Sequence, residues 1–251
     1  MNNKPNNTDE LLRRALESQI ELGTSEVVIS RKPQQRRESD LQAVDNQAIV
    51  SELASETVTK KLGTSEFDSL DSHYQAICNC LRCPLGDTRN KFVYGVGNPN
   101  ADLVFIGEGP GAEEDKLGEP FVGRAGKLLD RILEAINFNR QQIYIANMVK
   151  CRPPGNRDPQ PEEMEACNQY LMEQLSIIKP KLICALGRIA AQGLLKTTTP
   201  LGKLRGIWHD FHGMKTLVTY HPAALLRFPS YKKDTWEDMK LLRARYDELT
   251  K

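Results

Sequence analysis

Four cysteines in this chain are spaced as metal ligands. Cys80-Leu-Arg-Cys83 is a C-x-x-C motif followed at once by Pro84, while Cys151 and Cys167 lie further along. Four thiolates so arranged can enclose one centre. Tetrahedral zinc and an iron–sulfur cluster both accept such a set, and spacing alone does not choose between them. Cys78 could stand in for Cys80, although the tighter Cys80/Cys83 pair is the better assignment, and Cys184, between Ile183 and Ala185, reads as plain core. Disulfides are disfavoured, because the N-terminus MNNKPNNTDE lacks the apolar core of a secretory signal. The second chemical stretch is Asp102–Asp130. An apolar run, Leu103–Ile106, empties into Gly107-Glu108-Gly109-Pro110-Gly111, then an acidic cluster at Glu113-Glu114-Asp115, then Pro120-Phe121-Val122-Gly123. A glycine loop at the carboxyl end of a buried strand lets backbone approach a ligand and is the default site of an open α/β sheet. It is neither a P-loop nor a dinucleotide fingerprint, since Gly-Lys-Ser/Thr and Gly-x-Gly-x-x-Gly are both unmet.

The elements that must hold these residues follow an α/β rhythm. Besides Leu103–Ile106, strands are expected at 143–149, 181–186 and 215–220, the last ending at His221-Pro222. Helices are expected after the glycine loop, with Leu128, Leu129, Ile132, Leu133 and Ile136 on one side. Others should start at Asp158-Pro159, with Met164, Cys167, Leu171, Leu175 and Ile178 on one face, near Arg188, and over about 233–249. The expected product is a three-layer α/β/α sandwich around a roughly four-stranded parallel sheet with right-handed crossovers.

The first 72 residues read as an extension and 73–251 as the folded domain. Thr8 can cap a short amphipathic helix bearing Leu11, Leu12, Ala15, Leu16 and Ile20, a candidate dock for a protein partner. From about Thr24 to Ser72 the composition is that of a largely disordered linker. Net charge is +1, but residues 1–70 carry 9 basic and 12 acidic side chains and the remainder 25 and 21. The body is thus mildly basic, compatible with a polyanion. No apolar run approaches the ~20 residues of a membrane span, so no membrane association and a cytoplasmic location are expected.

GEGPG with its acidic run, PFVGRAGKLLD, Asn147-x-x-x-Cys151-Arg-Pro-Pro and the late His221-Pro222, with the cysteines interleaved, together resemble the family 4 uracil-DNA glycosylases. The similarity covers about residues 75–245. It implies an α/β/α fold, a four-iron, four-sulfur cluster on Cys80, Cys83, Cys151 and Cys167, and removal of uracil from DNA by a monofunctional hydrolase.

A glycosylase must extrude the base and stabilise the uracil anion that develops as the sugar becomes oxocarbenium-like. On this resemblance Asn147 offers a donor and an acceptor to the O4 and N3–H edge. Phe121 stacks on the base, Gly109 lines the pocket and His221 donates to O2. The water activator is expected to be Glu108 ahead of Glu114, because Gly109 stands where other branches place an aspartate, and Glu113 is expected to be merely solvated. The segment His221-Pro-Ala-Ala-Leu-Leu-Arg227 resembles an intercalation loop, with Leu225 or Leu226 as wedge and Arg227 on a phosphate. Arg152 would help the cluster region hold a DNA-binding loop. The segment Pro153–Asp158 lacks the histidine by which a neighbouring branch bonds covalently to DNA, so turnover is expected. No motif lysine is placed for Schiff-base chemistry, and the enzyme is expected to be a monomer. The alternatives are a glycosylase for other deaminated bases, or a non-catalytic, metal-stabilised nucleic-acid-binding module.

Overall fold

The protein is described by a computed structural model covering residues 63–250. The amphipathic segment at residues 8–20 and most of the expected linker lie outside the described residues.

Four parallel strands form the centre of the sheet: β2 (Leu103–Gly107), β3 (Tyr144–Asn147), β4 (Leu182–Leu186) and β6 (Met214–Thr219). All four were legible as apolar runs. Two short antiparallel edge strands, β1 (Val96–Gly97) and β5 (Trp208–Phe211), extend the sheet to six in the order β1-β3-β2-β4-β6-β5. β2 therefore has β3 on one side and β4 on the other. The chain reverses direction across the sheet at the carboxyl end of β2, where α/β sheets bind ligands.

Alternate side chains of the central strands point to opposite faces, and each face is capped by helices. On one face Val104, Ile106, Ala146, Ile183, Ala185 and Val218 pack against Leu171, Leu175 and Ile178 of the helix Pro161–Ile178 and against Ala190, Ala191 and Leu194 of the helix Gly187–Leu195. On the other, Phe105, Ile145, Cys184 and Leu217 meet Leu129 and Leu133 of the helix Arg124–Ala135 and Met239 and Leu242 of the helix Tyr231–Thr250. Burial on both faces is what continuous apolar runs in parallel strands require. The sandwich is three-layered, and Cys184 is core.

Two boundaries differ from the expectations. The second long helix begins at Pro161, where Gln160 and Glu163 form a capping box and proline occupies the first turn; Asp158-Pro159 remains in the preceding loop. Folded structure starts ahead of residue 73. A helix spans Leu70–Ile77 with Ser69 as its cap, Ser65 hydrogen-bonds Glu173, and Phe67 lies 4.9 Å from His73, ring centre to ring centre. The helix was missed because its serine-rich start shares the composition of a linker. Among the described residues, no helix is long and apolar enough to cross a membrane.

Candidate active site

One cavity of about 580 Å³ opens at the carboxyl ends of β2, β3 and β6. Gly109, Asn147 and His221, from three separate stretches of sequence, all line it, as do Glu108, Glu114, Phe121 and Arg227.

Asn147 is the last residue of β3 and lies opposite Gly107, the last residue of β2. Its side chain is almost fully buried, at 2 % exposure. Among the described residues, its Oδ1 is the one buried side-chain nitrogen or oxygen with no hydrogen-bond partner. An unpaired buried acceptor costs about 1–3 kcal/mol, a penalty that a ligand N–H removes on binding. The space in front of it exists because residue 107 has no side chain. A Cβ there would fall 2.5 Å from Asn147 Oδ1 and 2.6 Å from the Phe121 ring.

Phe121 adopts a left-handed backbone (φ 55°), a conformation that costs a non-glycine residue on the order of 1 kcal/mol. Three contacts hold it there. Arg140 donates to the carbonyls of Pro120 and Phe121, the Phe121 carbonyl lies against Gly126 so closely that no Cβ would fit, and Glu114 Oε1 accepts from the Val122 and Gly123 N–H groups at 3.0 and 2.9 Å. The ring faces His221 with centroids 5.4 Å apart.

His221 caps the helix Pro222–Arg227, its Nδ1 accepting from the Ala223 N–H at 3.1 Å. An accepting Nδ1 leaves Nε2 as the protonated nitrogen of a neutral ring. Burial, aided by the Arg227 charge and opposed by Glu114, lowers the imidazole pKa to about 4. A neutral donor is therefore the resting state. Gly187 (φ 88°) makes room for this residue, since a Cβ there would sit 2.8 Å from His221 Cβ.

Glu108 is half-buried on the cavity wall. Burial, reinforced by Asp158 and opposed by Arg188 and Arg227, raises its pKa to about 7. Glu114 reaches the same cavity, but one of its oxygens is committed to the Phe121 loop. Glu113 is on the surface, paired with Lys116 at 3.2 Å.

The structure separates the two wedge candidates. Leu225 is 1 % exposed and faces the helix Arg124–Ala135 and Met239, so it belongs to the core; Leu226 is 38 % exposed. At helical spacing, adjacent residues cannot share a face, and the buried face claims Leu225. Arg227 lies on the cavity rim. Arg152 holds the Pro153–Asp158 loop through Asn156 Oδ1 at 2.8 Å. The sequence reading missed Arg188, which pairs with Asp158 across the cavity mouth, and Arg157, bidentate on Glu163 at 2.7 and 2.8 Å.

Cys80, Cys83, Cys151 and Cys167 line a second, small pocket together with Phe92 and Tyr170. Donors surround their sulfurs: Tyr170 Oη 3.2 Å and the Arg82 N–H 3.4 Å from Cys80, Arg89 Nη1 3.4 Å from Cys151. Burial raises the Cys151 and Cys167 thiols to about 11, so a bound cation would have to displace their protons. Among the described residues, no group of three or more His, Cys, Asp or Glu is arranged to hold a single metal ion. Four thiols sharing one pocket, with polar hydrogens directed at sulfur, fit a thiolate-bound cluster in donor chemistry.

Residues 94–240 match the profile of the Uracil DNA glycosylase superfamily. A type-4 uracil-DNA glycosylase of Archaeoglobus fulgidus is 43% identical over 181 residues, covering 69% of this chain and 91% of that protein. One of Thermotoga maritima is 46% identical over 155 residues, covering 61% and 81%. The chain belongs to the type-4 uracil-DNA glycosylases. Type-4 enzymes form the iron–sulfur branch of the superfamily, and type-5 relatives are more distant, one from Pyrobaculum aerophilum being 28% identical over 189 residues. In this glycosylase the motifs that carried the resemblance are the walls of the 580 Å³ cavity and the thiol pocket.

Proposed function

We propose that the cavity receives a uracil flipped out of DNA, and that hydrolysis of its N-glycosidic bond there begins base-excision repair. The observation that supports this most is the unpartnered Asn147 Oδ1, buried in the same cavity as the neutral, Nε2-protonated His221. Asn147 Oδ1 accepts from uracil N3–H and its amide donates to O4. Cytosine presents the opposite donor–acceptor order and is rejected by the same orientation. Phe121 bounds the base on one side, and Gly107 and Gly109 leave room for it. As the C1′–N1 bond lengthens, charge gathers on the uracil oxygens. His221 Nε2–H then strengthens its bond to O2 without the cost of first charging the ring.

Glu108 carries the water. Its carboxylate, once ionised, accepts from the attacking water and faces the oxocarbenium-like sugar, while Glu114 holds the Phe121 loop. Arg227, with Arg188 beside it, takes phosphates flanking the flipped nucleotide, and Leu226 fills the gap left in the stack.

Cys80, Cys83, Cys151 and Cys167 would hold a four-iron, four-sulfur cluster. Bound there, it supplies a structural tie between the Cys80–Thr88 segment, the loop after β3 and the helix Pro161–Ile178; hydrolysis has no redox step. The enzyme is proposed to act as a monomer in the cytoplasm, with residues ahead of the domain serving a protein partner.

The test incubates the protein with a uracil-containing oligonucleotide and reveals abasic sites with alkali. Asn147→Ala and His221→Ala should each lower single-turnover uracil release by at least about 100-fold while DNA binding persists. Hypoxanthine or xanthine release exceeding that of uracil, or release unchanged in both variants, would overturn this reading.

A further inference from the structure

Lys150 is fully buried, at 0 % exposure, and none of the chemistry above uses it. A buried lysine needs a reason, since its head must find acceptors to offset lost hydration. Its Nζ has two: the main-chain carbonyl of Asn147 at 2.9 Å and Gln174 Oε1 at 2.5 Å. Gln174, also 0 % exposed, is itself anchored, its Nε2 donating to the Tyr94 carbonyl at 3.0 Å and Tyr144 Oη at 3.2 Å.

The Asn147 carbonyl sits at the point where β3 ends and the cysteine loop begins. On the N–H side this junction is fixed, because Met148 N–H donates to the Gly107 carbonyl at 2.9 Å and Val149 N–H to the Glu108 carbonyl at 3.1 Å. On the carbonyl side the lysine curls back three residues to donate to the Asn147 oxygen. The peptide plane after Asn147 is thereby held from both sides, and with it the direction of the Asn147 Cα–Cβ bond. The Lys150 carbonyl accepts from Val93 N–H at 2.9 Å, and its own N–H is directed at the Cys167 sulfur. One residue thus joins the thiol pocket to the base pocket.

We propose that Lys150, braced by Gln174, is a positioning residue that aims the Asn147 amide at the uracil edge. The inference rests on the reading of Asn147 as the base-selecting side chain. A misplacement of about 1 Å at such a contact can cost on the order of 100-fold in rate. A lysine acting through Asn147 should therefore matter a great deal when the amide is present and not at all when it is gone.

That contrast defines the experiment. Lys150→Met keeps the aliphatic stem and removes both donated bonds. Single-turnover uracil release, inhibition by free uracil and thermal melting are measured for the holoenzyme, Lys150→Met, Asn147→Ala and the double variant. The expected result is at least a tenfold loss of release and weaker inhibition by uracil for Lys150→Met alone. In the Asn147→Ala background the same change should alter neither by more than about twofold. The fall in melting temperature should be alike in both backgrounds, since stability does not depend on the uracil contact.

Equal losses of release in both backgrounds, or no loss in the native one, would overturn the proposal. If Lys150→Met does not fold, Gln174→Met reads the same cycle by removing the brace, with the same two criteria. Should Asn147→Ala by itself lose nothing, the reading of Asn147 fails, a result distinct from failure of the lysine's role.

Discussion

Glu108 makes the most detailed prediction, because its ionisation is set by neighbours that can be changed one at a time. Burial and Asp158 raise its pKa to about 7, while Arg188 and Arg227 pull it down. If its carboxylate positions the water, single-turnover release should rise with pH along a limb centred near 7. The ionised fraction is roughly one-tenth at pH 6 and nine-tenths at pH 8, so the rate should change by about tenfold between them. His221 does not confuse the limb, since its pKa is lowered to about 4 and it stays neutral throughout. Asp158→Asn removes a charge that disfavours the carboxylate, so the limb should move to lower pH. Arg188→Gln removes a charge that favours it, so the limb should move to higher pH. The assay is a rapid-quench time course from pH 5.5 to 8.5 with enzyme in excess over a uracil oligonucleotide. Glu108→Gln should abolish the limb and leave a low, flat rate. A wild-type profile flat from pH 6 to 8, or shifts of the opposite sign in the two neighbours' variants, would refute the assignment of Glu108.

Other consequences are equally concrete. Gly107→Ala drives a methyl group into Asn147 Oδ1 and the Phe121 ring, so release should fall by about 100-fold or more. Gly202→Ala, where nothing lies within 4 Å of the added Cβ, should leave melting and kinetics unchanged, and the paired measurements check both. Leu225→Ala, in the core, should cost about 2–5 kcal/mol in chemical denaturation, whereas Leu226→Ala should leave stability within about 0.5 kcal/mol and slow release from duplex more than from single-stranded DNA. With the proposed iron–sulfur cluster in the thiol pocket, the protein should absorb visible light, and oxidation with chelation should bleach that absorbance and lower the melting temperature by on the order of 10 °C, followed by calorimetry.

Much of this arrangement was legible because the parallel core advertises itself. Leu103–Ile106 and Lys181–Leu186 are short apolar runs bounded by turn residues, which read as strands buried on both faces, and the motifs after the runs at 103–106, 143–149 and 215–220 mark the cavity. The thiol set was legible for a similar reason, as a C-x-x-C with two further cysteines has few other uses where disulfides are not expected. What escaped depends on contacts between distant residues or on very short elements. β1 is two residues long and flanked by left-handed Gly95, too short to leave a periodicity. The roles of Gly107, Gly126 and Gly187 follow from what would collide with a side chain there, which spacing does not reveal. Arg188 meets Asp158 thirty residues away, and Lys150 looks in sequence like any exposed lysine before a cysteine. Leu225 and Leu226 are chemically alike, and only the packing of the helix Arg124–Ala135 decides which is core.

The central claim is that Asn147 and His221 together grip an extruded uracil. It is tested most directly by a crystal structure of the protein with free uracil bound. Uracil N3 should lie within about 3 Å of Asn147 Oδ1 and O2 within the same distance of His221 Nε2, with the ring beside Phe121. Uracil bound away from the 580 Å³ cavity, or in it with Asn147 Oδ1 still unpaired, would contradict the account.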